Sequence, residues 1–294
     1  MMKVILHPGK EEYQDLLMRP HKDAADLGAI VASVLNDVRL EGDKAVLRYE
    51  AMYDKVELLS LEVTDKEILE AESLVSEELK QSIKLAHDNI YRFHEAQRMQ
   101  PVRVETAPGV HCWQKSVAIE KVGLYIPGGT APLFSTVLML ATPARIAGCT
   151  DIVLCSPPSR DGKLHPAILY AAKIAGVNRI FKCGGVQAIG AMAYGTESVP
   201  KVDKIFGPGN RFVTEAKRQV SEGKVSIDMP AGPSEVLVIA DENANASFVA
   251  SDFLSQAEHG PDSQSILVTS SEKLLEQLPV EIEKLLQILP RREM

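Results

Sequence analysis

From Asp23 to about Tyr53 the apolar residues Leu27, Ile30, Val31, Val34 and Leu35 recur at three- and four-residue steps, which predicts an amphipathic helix. A second helical region follows Thr64-Asp65-Lys66-Glu67, where Thr64 and Glu67 have capping-box spacing, and runs with breaks to Arg98. Its charges Glu77, Glu78, Lys80, Lys84 and Asp88 read as a solvated face. After Pro101 the period changes. Short apolar runs at Val122–Tyr125, Asp151–Cys155, Arg179–Lys182, Lys204–Phe206, Val236–Ile239 and Ser265–Thr269 predict strands. Helical patterns separate and follow them, at Pro132–Ala147, Pro166–Ala175, Val186–Ala193, Asn210–Val220, Ala246–Glu258, Glu272–Leu278 and Glu281–Leu289. Near-continuous apolar strands alternating with helices predict parallel sheets flanked by helices, an α/β fold. Residues 1–20 read as a short arm without a core of their own.

Composition narrows the partners. A chain of 294 residues has room for two domains, and 45% apolar with 24% charged residues is ordinary for a globular protein. A formal charge of −8 and a pI near 5.5 argue against nucleic acid or an anionic membrane as partner. No apolar run approaches the ~20 residues of a membrane span, and the N-terminal run is too short for a signal peptide. Cys112, Cys149, Cys155 and Cys183 show no Cys-x-x-Cys spacing and read as reduced, mostly buried thiols of a cytoplasmic protein.

Candidate chemistry gathers after the strands. Three glycine turns, Gly128-Gly129-Thr130, Gly184-Gly185-Val186-Gln187 and Gly207-Pro208-Gly209-Asn210, each join a strand to a helix. Such turns let a backbone approach a ligand, and helix N-termini favour anions. None has the Gly-x-Gly-x-x-Gly spacing, so the usual dinucleotide geometry is not predicted, and Gln187 either touches a ligand or only starts a helix. Asp228-Met229-Pro230-Ala231-Gly232-Pro233-Ser234-Glu235 is a rigid crossing that either joins two sheets or offers Ser234 to a substrate. Gln256 and His259, three apart at a helix end, either cap and fill a core or give half of a metal shell, with Asp262 as a third donor. His7, His21, His87, His94, His111 and His165 form no Ser/His/Asp arrangement.

Four long motifs occur in order: Tyr125-Ile126-Pro127-Gly128-Gly129, Phe206-Gly207-Pro208-Gly209-Asn210, Asp228 to Glu235, and Ser255-Gln256-Ala257-Glu258-His259-Gly260-Pro261-Asp262-Ser263. Together they closely resemble histidinol dehydrogenase, densely from about Val122 to Gln264. The resemblance implies a zinc-dependent enzyme that oxidises L-histidinol to L-histidine through the aldehyde with two NAD molecules. It also implies an intertwined homodimer and two incomplete Rossmann-like domains: 125–233 as one, 21–124 with 234–294 as the other, beyond an N-terminal arm at 1–20. By position it assigns Tyr125, Gln187 and Asn210 to NAD, Ser234 to substrate, and Gln256 and His259 to zinc and substrate. Family members are longer. Their acid/base Glu-His pair in a Pro-Glu-His segment, a further aspartate ligand and a partner-donated histidine have no counterpart here, so the chain reads as truncated, inactive as it stands, with no catalytic residue of its own. A zinc-dependent alcohol dehydrogenase acting on another small polyol, and a non-catalytic α/β binding module, are the alternative readings.

Overall fold

A computed structural model describes residues 3–18, 27–128, 131–223, 225–230, 234–259 and 263–289. The chain divides into two compact units, residues 25–230 and residues 1–24 with 231–294.

In the arm, a 3₁₀ turn (Lys10–Glu12) leads into the single helical turn α1 (Tyr13–Leu16). The larger unit begins with helices: α2 (Leu27–Glu41), α3 (Asp43–Tyr49), a π-helical turn (Glu50–Asp54), α4 (Asp65–Leu74) and α5 (Glu77–Ala96). The expected capping box starts α4, with Thr64 Oγ1 accepting from Glu67 N at 3.2 Å and Glu67 Oε2 accepting from Thr64 N at 2.8 Å. A hairpin of β1 (Arg103–Ala107) and β2 (Val110–Trp113) follows; its short, exposed strands were not anticipated as a pair.

Then β3 (Lys121–Tyr125), α6 (Phe134–Ala147), β4 (Asp151–Ser156), α7 (Pro166–Ile174), β5 (Arg179–Lys182), α8 (Gly185–Tyr194), β6 (Lys204–Phe206) and α9 (Arg211–Ser221) alternate as the apolar pattern predicts, and the two-residue β7 (Ser226–Ile227) is added to them. All pairings in this sheet are parallel, in the order β5-β4-β3-β6-β7. Counted along the chain this is 3-2-1-4-5, the Rossmann order 3-2-1-4-5-6 without its sixth strand. Connections reverse direction between β3 and β6, and in open α/β sheets such a switch point opens the ligand crevice at the carboxyl ends of the strands.

Side chains alternate across the sheet. Tyr125, Val153, Cys155, Phe181 and Ile205 share one core with Val31, Val34, Val46 and Ile189, from α2, α3 and α8. Val122, Leu124, Ile152, Leu154 and Ile180 face the other, with Ala71, Ile83, Leu138 and Ile168, from α4 to α7. The N-terminal helices thus cover both faces of this sheet. The expected grouping of 21–124 with 234–294 differs from this division, because the apolar stripes of α2 to α5 are already buried against β3 to β6.

The smaller unit contains β8 (Glu235–Ala240), α10 (Ala246–Ala257), the parallel partner β9 (Gln264–Thr269) and α11 (Glu272–Leu286). Helix α11 runs through Pro279, where the sequence suggested two helices. Its stripe Leu274, Leu278, Ile282 and Leu285 keeps helical phase across the proline and packs with Val249, Ala250 and Phe253 of α10, which outweighs the lost backbone bond. Val238, Ala240 and Leu267 join that core, while Leu237, Ile239 and Val268 are exposed on the opposite face. Among the described residues no helix is long and apolar enough to cross a membrane.

Candidate active site

In the larger unit the three glycine turns stand at the carboxyl ends of β3, β5 and β6. Their glycines serve mutual packing first. A Cβ on Gly128 or on Gly184 would sit 2.5 Å from the ring of Pro157, which follows β4. A Cβ on Gly207, whose φ is +130°, would overlap the main-chain carbonyl of Tyr125 on the neighbouring strand. Close approach is therefore made to the protein's own chain, bringing the turns into one continuous rim. Gly129 and Thr130 lie outside the described residues.

Side chains fix this rim from below. Tyr125, at the end of β3, is buried, and its Oη accepts from Gly185 N at 3.1 Å. Burial pushes its hydroxyl pKa well above the usual range, so it remains a neutral phenol. Gln187 is also buried, in the first turn of α8, and its Nε2 donates to Glu50 Oε1 at 2.9 Å. Gly184 N donates to the same oxygen at 2.9 Å. Asn210 is exposed at the head of α9, where its Oδ1 accepts from Phe212 N and Val213 N at 3.0 and 3.1 Å. Gly207 is held through both its peptide groups: its N donates to Asp228 Oδ2 and its O accepts from Lys217 Nζ, each at 2.9 Å. Lys217 and Asp228 are also ion-paired. A groove of about 780 Å³ lies elsewhere in this unit, along α6 and the loop after β2, and none of the candidate residues lines it.

In the sequence Glu50 falls within a helical segment and carries no other signal of a site. It is fully buried, and burial, with the nearby Asp54 carboxylate, pushes its carboxyl up to about 7 against the pull of its bonds from Gly184 and Gln187. From pH 4.5, the unfolded value, to about 7, the folded chain keeps a proton that the unfolded chain releases. This group therefore lowers stability as pH rises through that window. Glu50→Gln removes the titration, so the variant's melting temperature should gain on the wild type's between those pH values. A constant difference across them would contradict the assignment.

The smaller unit brings Ser234, Gln256 and His259 to one end of its βαβ element. Gln256 is half-buried in the last turn of α10, and its Nε2 donates to the Ser234 carbonyl at 2.9 Å and to Ser263 Oγ at 3.3 Å. A carbonyl only accepts, so the amide nitrogen must face Ser234, and the amide oxygen is turned away from both serines. His259 lies just past the helix, two residues beyond its last residue. Its N–H reaches Gln256 O at 3.1 Å, a tight turn that continues the helical path. Sequence spacing anticipated this neighbourhood; the helix itself stops earlier. Asp262 lies outside the described residues.

Two donors, an amide oxygen and an exposed imidazole, fit part of a zinc shell. Among the described residues no group of three or more His, Cys, Asp or Glu side chains is arranged to hold a metal. The four cysteines are free thiols; Cys149, Cys155 and Cys183 are buried and Cys112 is exposed.

A Rossmann-order parallel sheet, glycine turns at the carboxyl ends of its strands and a separate βαβ element define an α/β protein of the Rossmann-like class. The profile of the histidinol dehydrogenase family matches residues 17–294. The chain is 63% identical over 293 residues to histidinol dehydrogenase of Bacteroides thetaiotaomicron, covering 100% of this chain and 68% of that one. It is 61% identical to the enzyme of Bacteroides fragilis, covering 99% of this chain and 68% of the relative. The crystal structure of histidinol dehydrogenase from Elizabethkingia anophelis superposes with a TM-score of 0.92 at 52% identity, over 97% of this chain and 66% of that one. The chain belongs to the histidinol dehydrogenase family, a family of dehydrogenase enzymes. It spans about two thirds of the length of these relatives.

Proposed function

We propose that the protein serves histidine biosynthesis as a histidinol dehydrogenase, oxidising L-histidinol to L-histidine through the aldehyde with two NAD molecules, as a cytoplasmic homodimer. Family membership over almost the whole chain carries the reading. When bound, zinc would anchor the substrate and NAD would take the hydride. The chain's own residues bind and orient. Gln256 and His259 present an amide oxygen and an imidazole from one turn, and the bonds to Ser234 and Ser263 keep that oxygen from rotating. Ser234 stands beside Gln256 as the substrate contact. Tyr125, Gln187 and Asn210 belong to the NAD surface. Asn210 lies at the switch point, while Tyr125 and Gln187 are buried supports of the adjoining turn.

Calorimetric titration with NAD tests the reading. Saturable heat is expected, and Asn210→Ala should weaken binding about tenfold by loosening the head of α9. Wild-type chain that gives no saturable heat would instead favour an α/β module without a cofactor.

A further inference from the structure

Glu50 sits where its residue type is least expected. With Val46 and Tyr49 it continues the buried stripe of α3, and no part of it is exposed. At this residue the helix widens into a π-helical turn that ends on Lys55 in the left-handed region, with φ +60°. π-Turns inside helices often re-aim a side chain at a functional site. Here the carboxyl reaches the first turn of α8, more than 130 residues away in sequence, and one oxygen takes both the Gly184 N–H and the Gln187 amide. Tyr125 takes the next N–H, that of Gly185, whose φ is +58°.

We propose that Glu50 is a positioning residue: its single accepting oxygen closes the Gly184-Gly185 turn and holds Gln187 in one orientation beneath the carboxyl ends of the strands. The consequence for the cofactor rests on the reading of Gln187 as part of the NAD surface. The N–H groups of Gly184 and Gly185 are both bonded to the protein's own side chains, so neither of these two is offered to a phosphate. The group acts as an acceptor rather than as a charge. Burial favours the neutral carboxyl, whose carbonyl oxygen still accepts both bonds, and a glutamine in its place keeps that oxygen. Alanine would leave a void and two buried donors without a partner, a larger loss than that of an exposed bond.

Glu50→Gln and Glu50→Ala decide the matter, each titrated with NAD and melted with and without formate, a carboxyl small enough for the vacated space. The glutamine variant should keep NAD affinity within about threefold of wild type, and the alanine variant should lose about tenfold or more. About 100 mM formate should raise the melting temperature of the alanine variant by about 3 °C while leaving wild type unchanged, and should recover its NAD binding. Should Glu50→Ala fail to fold, Glu50→Asp, whose carboxyl stops one methylene short of the turn, takes its place in the NAD titration alone, where the same loss is expected. A loss in Glu50→Gln as large as in Glu50→Ala, or no selective effect of formate, overturns the proposal. Selective stabilisation by formate without any change in NAD affinity upholds the role of Glu50 and removes Gln187 from the NAD surface instead.

Discussion

A polypeptide of these 294 residues is expected to oxidise histidinol at least about a thousandfold more slowly than the full-length relative from Bacteroides thetaiotaomicron, assayed side by side with NAD and zinc. Two separate deficits lead to this figure. The sequence contains no Pro-Glu-His segment, the one to which the family resemblance assigns proton transfer, and positioned acid–base groups contribute about 10²–10⁴ in rate. The second deficit is in metal binding. Zinc sites commonly take three or four protein donors; on the proposed reading Gln256 and His259 are two, and among the described residues no group of three or more His, Cys, Asp or Glu is arranged to hold a metal. Zinc should accordingly bind weakly, with a chelator competing for it readily. Turnover equal to the relative's would remove the first argument. Tight stoichiometric zinc that His259→Ala abolishes would remove the second, by showing a complete shell around that imidazole.

The parts of the fold that follow side-chain period were legible in the sequence, and the parts that follow long-range contact were not. Strands β3 to β6 and helices α6 to α9 fall within a residue or two of their apolar runs, because each is short, buried and bounded by glycine or proline. The two-residue β7 was invisible, since it has too few positions to carry a period. That Gln256 and His259 lie close together follows from spacing alone, but the link of Gln256 to Ser234 is a contact across 22 residues to a backbone carbonyl, which no local pattern encodes. Glu50 left one faint trace: it stands four residues after Val46 and one after Tyr49, in phase with a buried stripe. A carboxyl on the apolar face of a helix is a costly choice unless something distant accepts it. That partner, the head of α8, cannot be read from the segment around Glu50. The glycine turns were legible as turns but misleading as to reason, because their small size serves the approach of Pro157 and of the Tyr125 carbonyl rather than of a ligand alone.

Gly207→Ala should be the most damaging single-methyl change at the rim, destabilising the larger unit by about 3 kcal/mol, from backbone strain of about 1–3 kcal/mol with steric overlap added. A φ of +130° is open to glycine and strained for alanine. The added methyl would also overlap the Tyr125 carbonyl, a main-chain atom of a paired strand that cannot rotate away. Relaxation by moving the turn is blocked, since Gly207 is bonded through its N–H to Asp228 and through its carbonyl to the buried Lys217. Those two side chains form an ion pair, with Lys217 buried and Asp228 part-exposed, so the clamp resists any shift that would relieve the clash. For a unit of this size the loss corresponds to a fall of roughly 10 °C in its melting transition. Gly109→Ala is the matched control. Its φ of +79° is also positive, but a Cβ there meets nothing within 4 Å, so it should cost only the backbone share, about 1 kcal/mol. Equal melting temperatures for the two variants would mean that the contact with Tyr125 contributes nothing, and that the turn after β6 moves more freely than its clamp allows.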